Sequence, residues 1–113
     1  MIEKTVLDYL NNVLGIPVYM ELTPPIPKRY AVIEKTGSRR SNRIESATLA
    51  IQSVGETLYE AASINQFVKQ AMFALPDQAA GVFSVELDSD YNFTNTNTKE
   101  RRYQAVFDIT FKE

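Results

Sequence analysis

The sequence predicts an α+β domain, a mainly antiparallel sheet with two helices packed on one face. Three observations lead there. Two segments repeat apolar residues at helical spacing, five alternate apolar and polar residues as strands do, and most strand candidates are separated by short polar turns. The predicted order is α-β-β-β-α-β-β, in a single domain over residues 1–113.

Ile2, Val6, Leu10 and Val13, with Leu7 and Leu14 beside them, form one stripe and predict a helix over Ile2–Leu14. Glu3 suits its positive N-terminal end, Gly15 suits its cap, and Pro17 prevents continuation. Val18–Leu22 alternates as a short strand, and Thr23-Pro24-Pro25-Ile26-Pro27 forces an extended turn. A second strand covers Tyr30–Lys35. The polar stretch Thr36–Asn42 has no apolar anchor and reads as a loop. Arg43–Val54 alternates again, with Ala47, Leu49 and Ile51 on one face, and completes a long hairpin.

A broad apolar face from Leu58 through Ala61, Phe67, Val68 and Met72 to Leu75 predicts a helix over Glu56–Leu75, ended by Pro76. In the strand Val82–Phe93, Phe83, Val85, Leu87, Tyr91 and Phe93 point one way, and Glu86, Asp88 and Asp90 form an acidic, subunit-facing edge on the other. After the loop Thr94–Glu100, the last strand turns Tyr103, Ala105, Phe107, Ile109 and Phe111 inward.

The composition argues against catalysis. The 113 residues include no histidine and no cysteine, which removes the usual nucleophile–base pairs and the commonest metal ligands. Four scattered glycines build no phosphate loop. No cofactor is expected. Asp88-Ser89-Asp90-Tyr91-Asn92 copies the opening of a calcium loop, but Phe93 replaces the turn glycine and Lys99 the bidentate glutamate. The N-terminus is not expected to be a signal peptide, and no run approaches the roughly 18 apolar residues of a membrane span.

Charge is the informative feature. Residues 28–43 carry Lys28, Arg29, Lys35, Arg39, Arg40 and Arg43 against Glu34 alone, a net of +5, so the rest of this −2 chain carries −7. Lys99, Arg101 and Arg102 form a second basic group. Segregated charge serves a protomer that must meet a neighbour in fixed register, or that touches passing phosphates without reading sequence. A solvated hairpin tip is the plainer alternative.

Five local features, in order, are similar to the tail-terminator (tail completion) proteins of long-tailed bacteriophages and prophages. They are the helix ending in Leu14-Gly15-Ile16-Pro17-Val18-Tyr19, and the proline-rich turn before Tyr30-Ala31-Val32-Ile33-Glu34-Lys35-Thr36-Gly37. Next come the strand Leu49-Ala50-Ile51-Gln52-Ser53 leading into an alanine-bearing helix, and Ser89-Asp90-Tyr91-Asn92-Phe93. The closing run is Arg102-Tyr103-Gln104-Ala105-Val106-Phe107-Asp108-Ile109-Thr110. The resemblance implies a self-assembled ring, typically a hexamer, stacked on the tail-tube protein and facing the head-connector protein. DNA would pass non-specifically through its channel, with no membrane partner. It also implies residence in the bacterial host cytoplasm during assembly and in the virion afterwards. Ser38–Arg43 and Thr94–Arg101 are its candidate contact loops, expected to be mobile until assembly. Arg39, Arg40, Arg43, Lys99, Arg101 and Arg102 are the candidate assembly or lumen contacts. A head-completion or connector adaptor, and a small nucleic-acid-binding module using the basic hairpin, are the other readings.

Overall fold

A computed structural model describes residues 1–112. Its order is α1 (Ile2–Val13), β1 (Val18–Tyr19), β2 (Tyr30–Ser41), β3 (Ile44–Gly55), α2 (Leu58–Gln78), β4 (Val82–Asn92) and β5 (Arg101–Phe111). The five strands form one sheet in the order β1-β2-β3-β5-β4, antiparallel except for the two-residue β1, which lies parallel to β2. The predicted α+β class and element order both hold.

Both helices seal one face. Ile2, Val6 and Leu10 of α1 and Ile64, Val68, Met72 and Leu75 of α2 share a core with Ile33, Leu49, Ile51, Phe107 and Ile109 of the sheet. Burying each such side chain contributes about 1.5–3 kcal/mol, well above any exposed ion pair, so this layer holds the fold together. The end of α1 and the start of α2 carry local capping signals. Gly15 adopts the left-handed φ of 73° just past α1, as a glycine cap does. Thr57 caps α2 by accepting a hydrogen bond from Glu60 N–H at 3.1 Å. Gly55 has no room for a side chain, because a Cβ there would lie 2.8 Å from the backbone nitrogen of Ala61. Its absence lets the end of β3 run against the first turn of α2.

The structure corrects several boundaries. Thr36–Ser41 is strand rather than loop. Gly37 through Ser41 pair with Thr48 through Ile44, and Thr36 forms a bulge. Backbone pairing to a well-anchored β3 carries this polar segment without apolar side chains of its own. The turn shrinks to Asn42 and Arg43, both at positive φ (52° and 68°), the combination of a two-residue type I′ hairpin. Pro76 does not end α2, which runs on to Gln78. The proline sits in the last turn, where the burial of Met72 and Leu75 holds the helix together despite the one amide hydrogen bond that proline cannot make. β1 stops at Tyr19, short of Leu22, before a loop whose Pro24–Pro25 bond is cis.

The bulges matter most in β4. Register shifts at Phe83 and Asp88 mean that simple alternation fails there. Asp90 pairs with Ala105 and so joins Leu87 and Val85 on the helix-covered face. Tyr91 pairs with Gln104 and moves to the open face with Glu86. The sequence had set Asp90 with Glu86 and Tyr91 with Leu87, so one extra residue reversed both assignments. No helix of the described residues is long and apolar enough to cross a membrane.

Candidate functional site

The register decides which candidate residues meet. Across the sheet, Glu45 of β3 is level with Phe111 of β5, and Gly55 with Arg101. The β2–β3 tip and the β4–β5 connection therefore lie at opposite ends. At about 3.3 Å per residue, Glu45 and Gly55 are roughly 33 Å apart, most of the 44 Å long axis of the molecule. The two basic groups do not converge.

At the β2–β3 tip, Arg39 is level with Ser46 on the open face and Arg40 with Glu45 on the helix side. Arg43 occupies the turn. All three are exposed, and among the described residues none makes a side-chain hydrogen bond or ion pair. A non-glycine residue held at positive φ costs roughly 1–2 kcal/mol. Arg43 is therefore a bare charge on a strained turn.

The other end is built differently. Asn95 organises the connection: its Oδ1 accepts from the amides of Asn97 (2.9 Å) and Thr98 (3.3 Å), and its carbonyl accepts from Lys99 N–H at 2.7 Å. Phe93 N–H donates to Arg102 O at 2.8 Å and Asn95 N–H to Glu100 O at 3.1 Å, so pairing continues past the strand ends. The segment expected to be an unanchored loop is thus a closed, hydrogen-bonded turn. Lys99 and Arg101 point out of it without partners among the described residues. Arg102 does not.

The Arg102 guanidinium lies 5.1 Å from the Phe93 ring centroid, Nη1 donates to Gln52 Oε1 at 3.2 Å, and Nε stands 3.4 Å from Glu100 Oε1. Nε is buried without a hydrogen-bond partner, so the Glu100 contact is one of charge rather than of geometry. From Gln52 the network continues through Gln104 (3.1 Å) to Tyr91, and from Glu100 to the Tyr30 hydroxyl, which donates at 2.9 Å. Burial first, then the bond to Glu100, pushes the Tyr30 pKa up to about 12. This ladder spans β2, β3, β5 and β4 on the open face. Single-strand reading missed it, because residues some 50 positions apart meet only through register. Its one trace in the sequence is the outward polar period of Gln52, Arg102 and Gln104.

The acidic edge separates. Asp90 is held by α2, where Asn65 Nδ2 donates to it at 2.6 Å and Lys69 pairs with its other oxygen. Glu86 stays on the open face, level with Asp108, and Asp88 occupies the bulge. Glu86, Asp108, Thr48, Ser46 and Arg39 line a shallow polar trough of about 480 Å³ across that face. Between the helices, Tyr9, Val13, Leu14, Phe67, Gln70 and Ala71 line a groove of mixed polarity, in which Phe67 is 61% exposed.

No family model matches the sequence, and no curated protein matches it. Solved structures do. One that the chain is similar to belongs to the virion of a native gene transfer agent (GTA) particle, with a TM-score of 0.70 at 16% identity. The alignment covers 96% of this chain and 92% of that one, so the two share a fold over nearly their full lengths.

Proposed function

We propose that this chain is a structural protein of a phage-type virion, a tail terminator whose copies form a ring capping the tail tube and joining it to the head. The observation that carries this reading is the pair of basic ends, one bare and one partly tied down, on a fold similar to that of a chain in the GTA virion. A ring between two different partners needs contacts at both ends of each subunit. A sheet whose strands run the length of the molecule holds such ends at a fixed separation. At the tip, Arg40 and Arg43 offer one partner an unpaired positive surface, and Lys99 and Arg101 offer the second a smaller one. DNA in the channel would feel this charge without being read. In this reading the chain acts by contact and performs no catalytic step.

Co-sedimentation of the purified chain with tail tubes and, separately, with portal rings tests the proposal. Binding to tubes is the expected result. Binding to portal rings alone would instead favour a connector adaptor. Salt-dependent DNA binding by the isolated chain, with neither particle bound, would favour a nucleic-acid module. Reversing Arg39, Arg40 and Arg43 together to glutamate is expected to leave the fold intact and to block joining of tails to heads.

A further inference from the structure

The sheet ends on two strands with open outer sides. β4 is an edge over all of Val82–Asn92, whereas β2 is covered by β1 only at Ala31 and Val32. These edges carry opposite charge: Glu86, Asp88 and Asp90 without a base on β4, and Lys35, Arg39 and Arg40 against Glu34 on uncovered β2. Lys35 is taken by Glu3 and Asp90 by Lys69. Arg39 and Arg40 on one edge, and Glu86 and Asp88 on the other, have no ion-pair partner among the described residues. β3 and β5 stand between the two edges. At about 4.8 Å per strand, that is roughly 14 Å of sheet.

We propose that β4 of one copy pairs with β2 of the next, head to tail, setting the acidic edge of β4 against the basic edge of the neighbour's β2 and bringing Glu86 beside its Arg39. This rests on the virion reading above and names the contact by which copies of that protein meet. Charge selects the occupant. Two β4 edges would oppose acids, and two β2 edges would oppose arginines, both unfavourable across a strand pair. Only the unlike edges attract. Direction agrees, since β2 and β4 run antiparallel within the sheet, and copies rotated about an axis along the strands would meet antiparallel. Register agrees too. Gly37 is level with Glu86 through Thr48 and Asp108, so an unshifted seam makes Arg39 a diagonal neighbour of Glu86 on the open face. A head-to-tail contact of this kind generates rings or filaments, never a closed dimer of identical patches.

Two charge-swapped variants test the seam, Arg39→Glu with Arg40→Glu, and Glu86→Arg with Asp88→Arg, each checked for folding by circular dichroism. Native mass is measured across concentration up to the millimolar range. Wild type is expected to form oligomers larger than dimers, and each variant alone to associate at least roughly tenfold more weakly. An equimolar mixture is expected to recover assembly, because alternating copies restore unlike edges. A mixture that stays apart while wild type assembles overturns the seam. So does a wild type that remains monomeric throughout, which would make the bulged, charged edges devices against association. Tail-tube binding reports separately on the virion role. Assembly that obeys the swap without tube binding removes that role and leaves the seam, and tube binding with a failed swap does the reverse.

Discussion

The two basic ends of the sheet look alike in the sequence and differ in the folded chain. At the β2–β3 tip, Arg39 and Arg40 at the end of β2 and Arg43 on the turn stand in solvent, and both turn residues, Asn42 and Arg43, are at positive φ. At the β4–β5 end, Arg102 is stacked, hydrogen-bonded and tied through Gln52 and Glu100 to four strands. A cluster of like charge can thus be either surplus or spent. Which it is depends on whether partners arrive from distant strands. Charge that the fold has already used contributes to stability, and charge left bare is free for another molecule.

Breaking this contrast starts at the stabilising end. Arg102→Ala removes the Gln52 bond and the Phe93 stack and leaves Glu100 without its cation, so chemical denaturation should show a loss of about 1–3 kcal/mol. A value near zero would place Arg102 with the bare arginines. Alkaline titration probes the same network through Tyr30. Its folded pKa is raised above the unfolded value near 10, so the stabilisation is complete below pH 10 and is lost as pH climbs toward about 12. Tyrosinate absorbance should show a tyrosine titrating near pH 12 that Tyr30→Phe removes, while Tyr9, also raised by burial, still titrates late.

At the other end, Arg43→Gly should raise stability by roughly 0.5–1 kcal/mol, because glycine takes the left-handed conformation without strain. Thermal melting reads this directly, and a lower midpoint would show that the turn is not strained at Arg43. The smallest effect belongs to Arg39→Ala and Arg40→Ala, each expected within about 0.5 kcal/mol of wild type at any salt concentration. A larger loss would mean that these arginines, like Arg102, are engaged within the fold.

The groove between the helices gives a second contrast with the sheet. Apolar Phe67 is exposed there, yet the largest polar network lies on the face that alternation assigns to solvent. Outward strand positions are therefore not uniformly solvated. Tyr30 is buried and Gln104 nearly so, because side chains from neighbouring strands cover one another.

By itself the sequence determined the α+β class, the order of seven elements, the glycine cap after α1 and most of the core. Each follows from local periodicity or from a backbone preference, and such signals act over a few residues. Only the tertiary structure decided that Thr36–Ser41 is strand, since a polar segment takes its conformation from the partner it pairs with. Only the bulge at Asp88 sent Asp90 beneath α2 and Tyr91 to the open face, because one inserted residue inverts every later side chain. The separation of the basic ends and the binding of Arg102 into a ladder were likewise matters of register. Register couples residues 50 or more positions apart, and no local pattern carries that information.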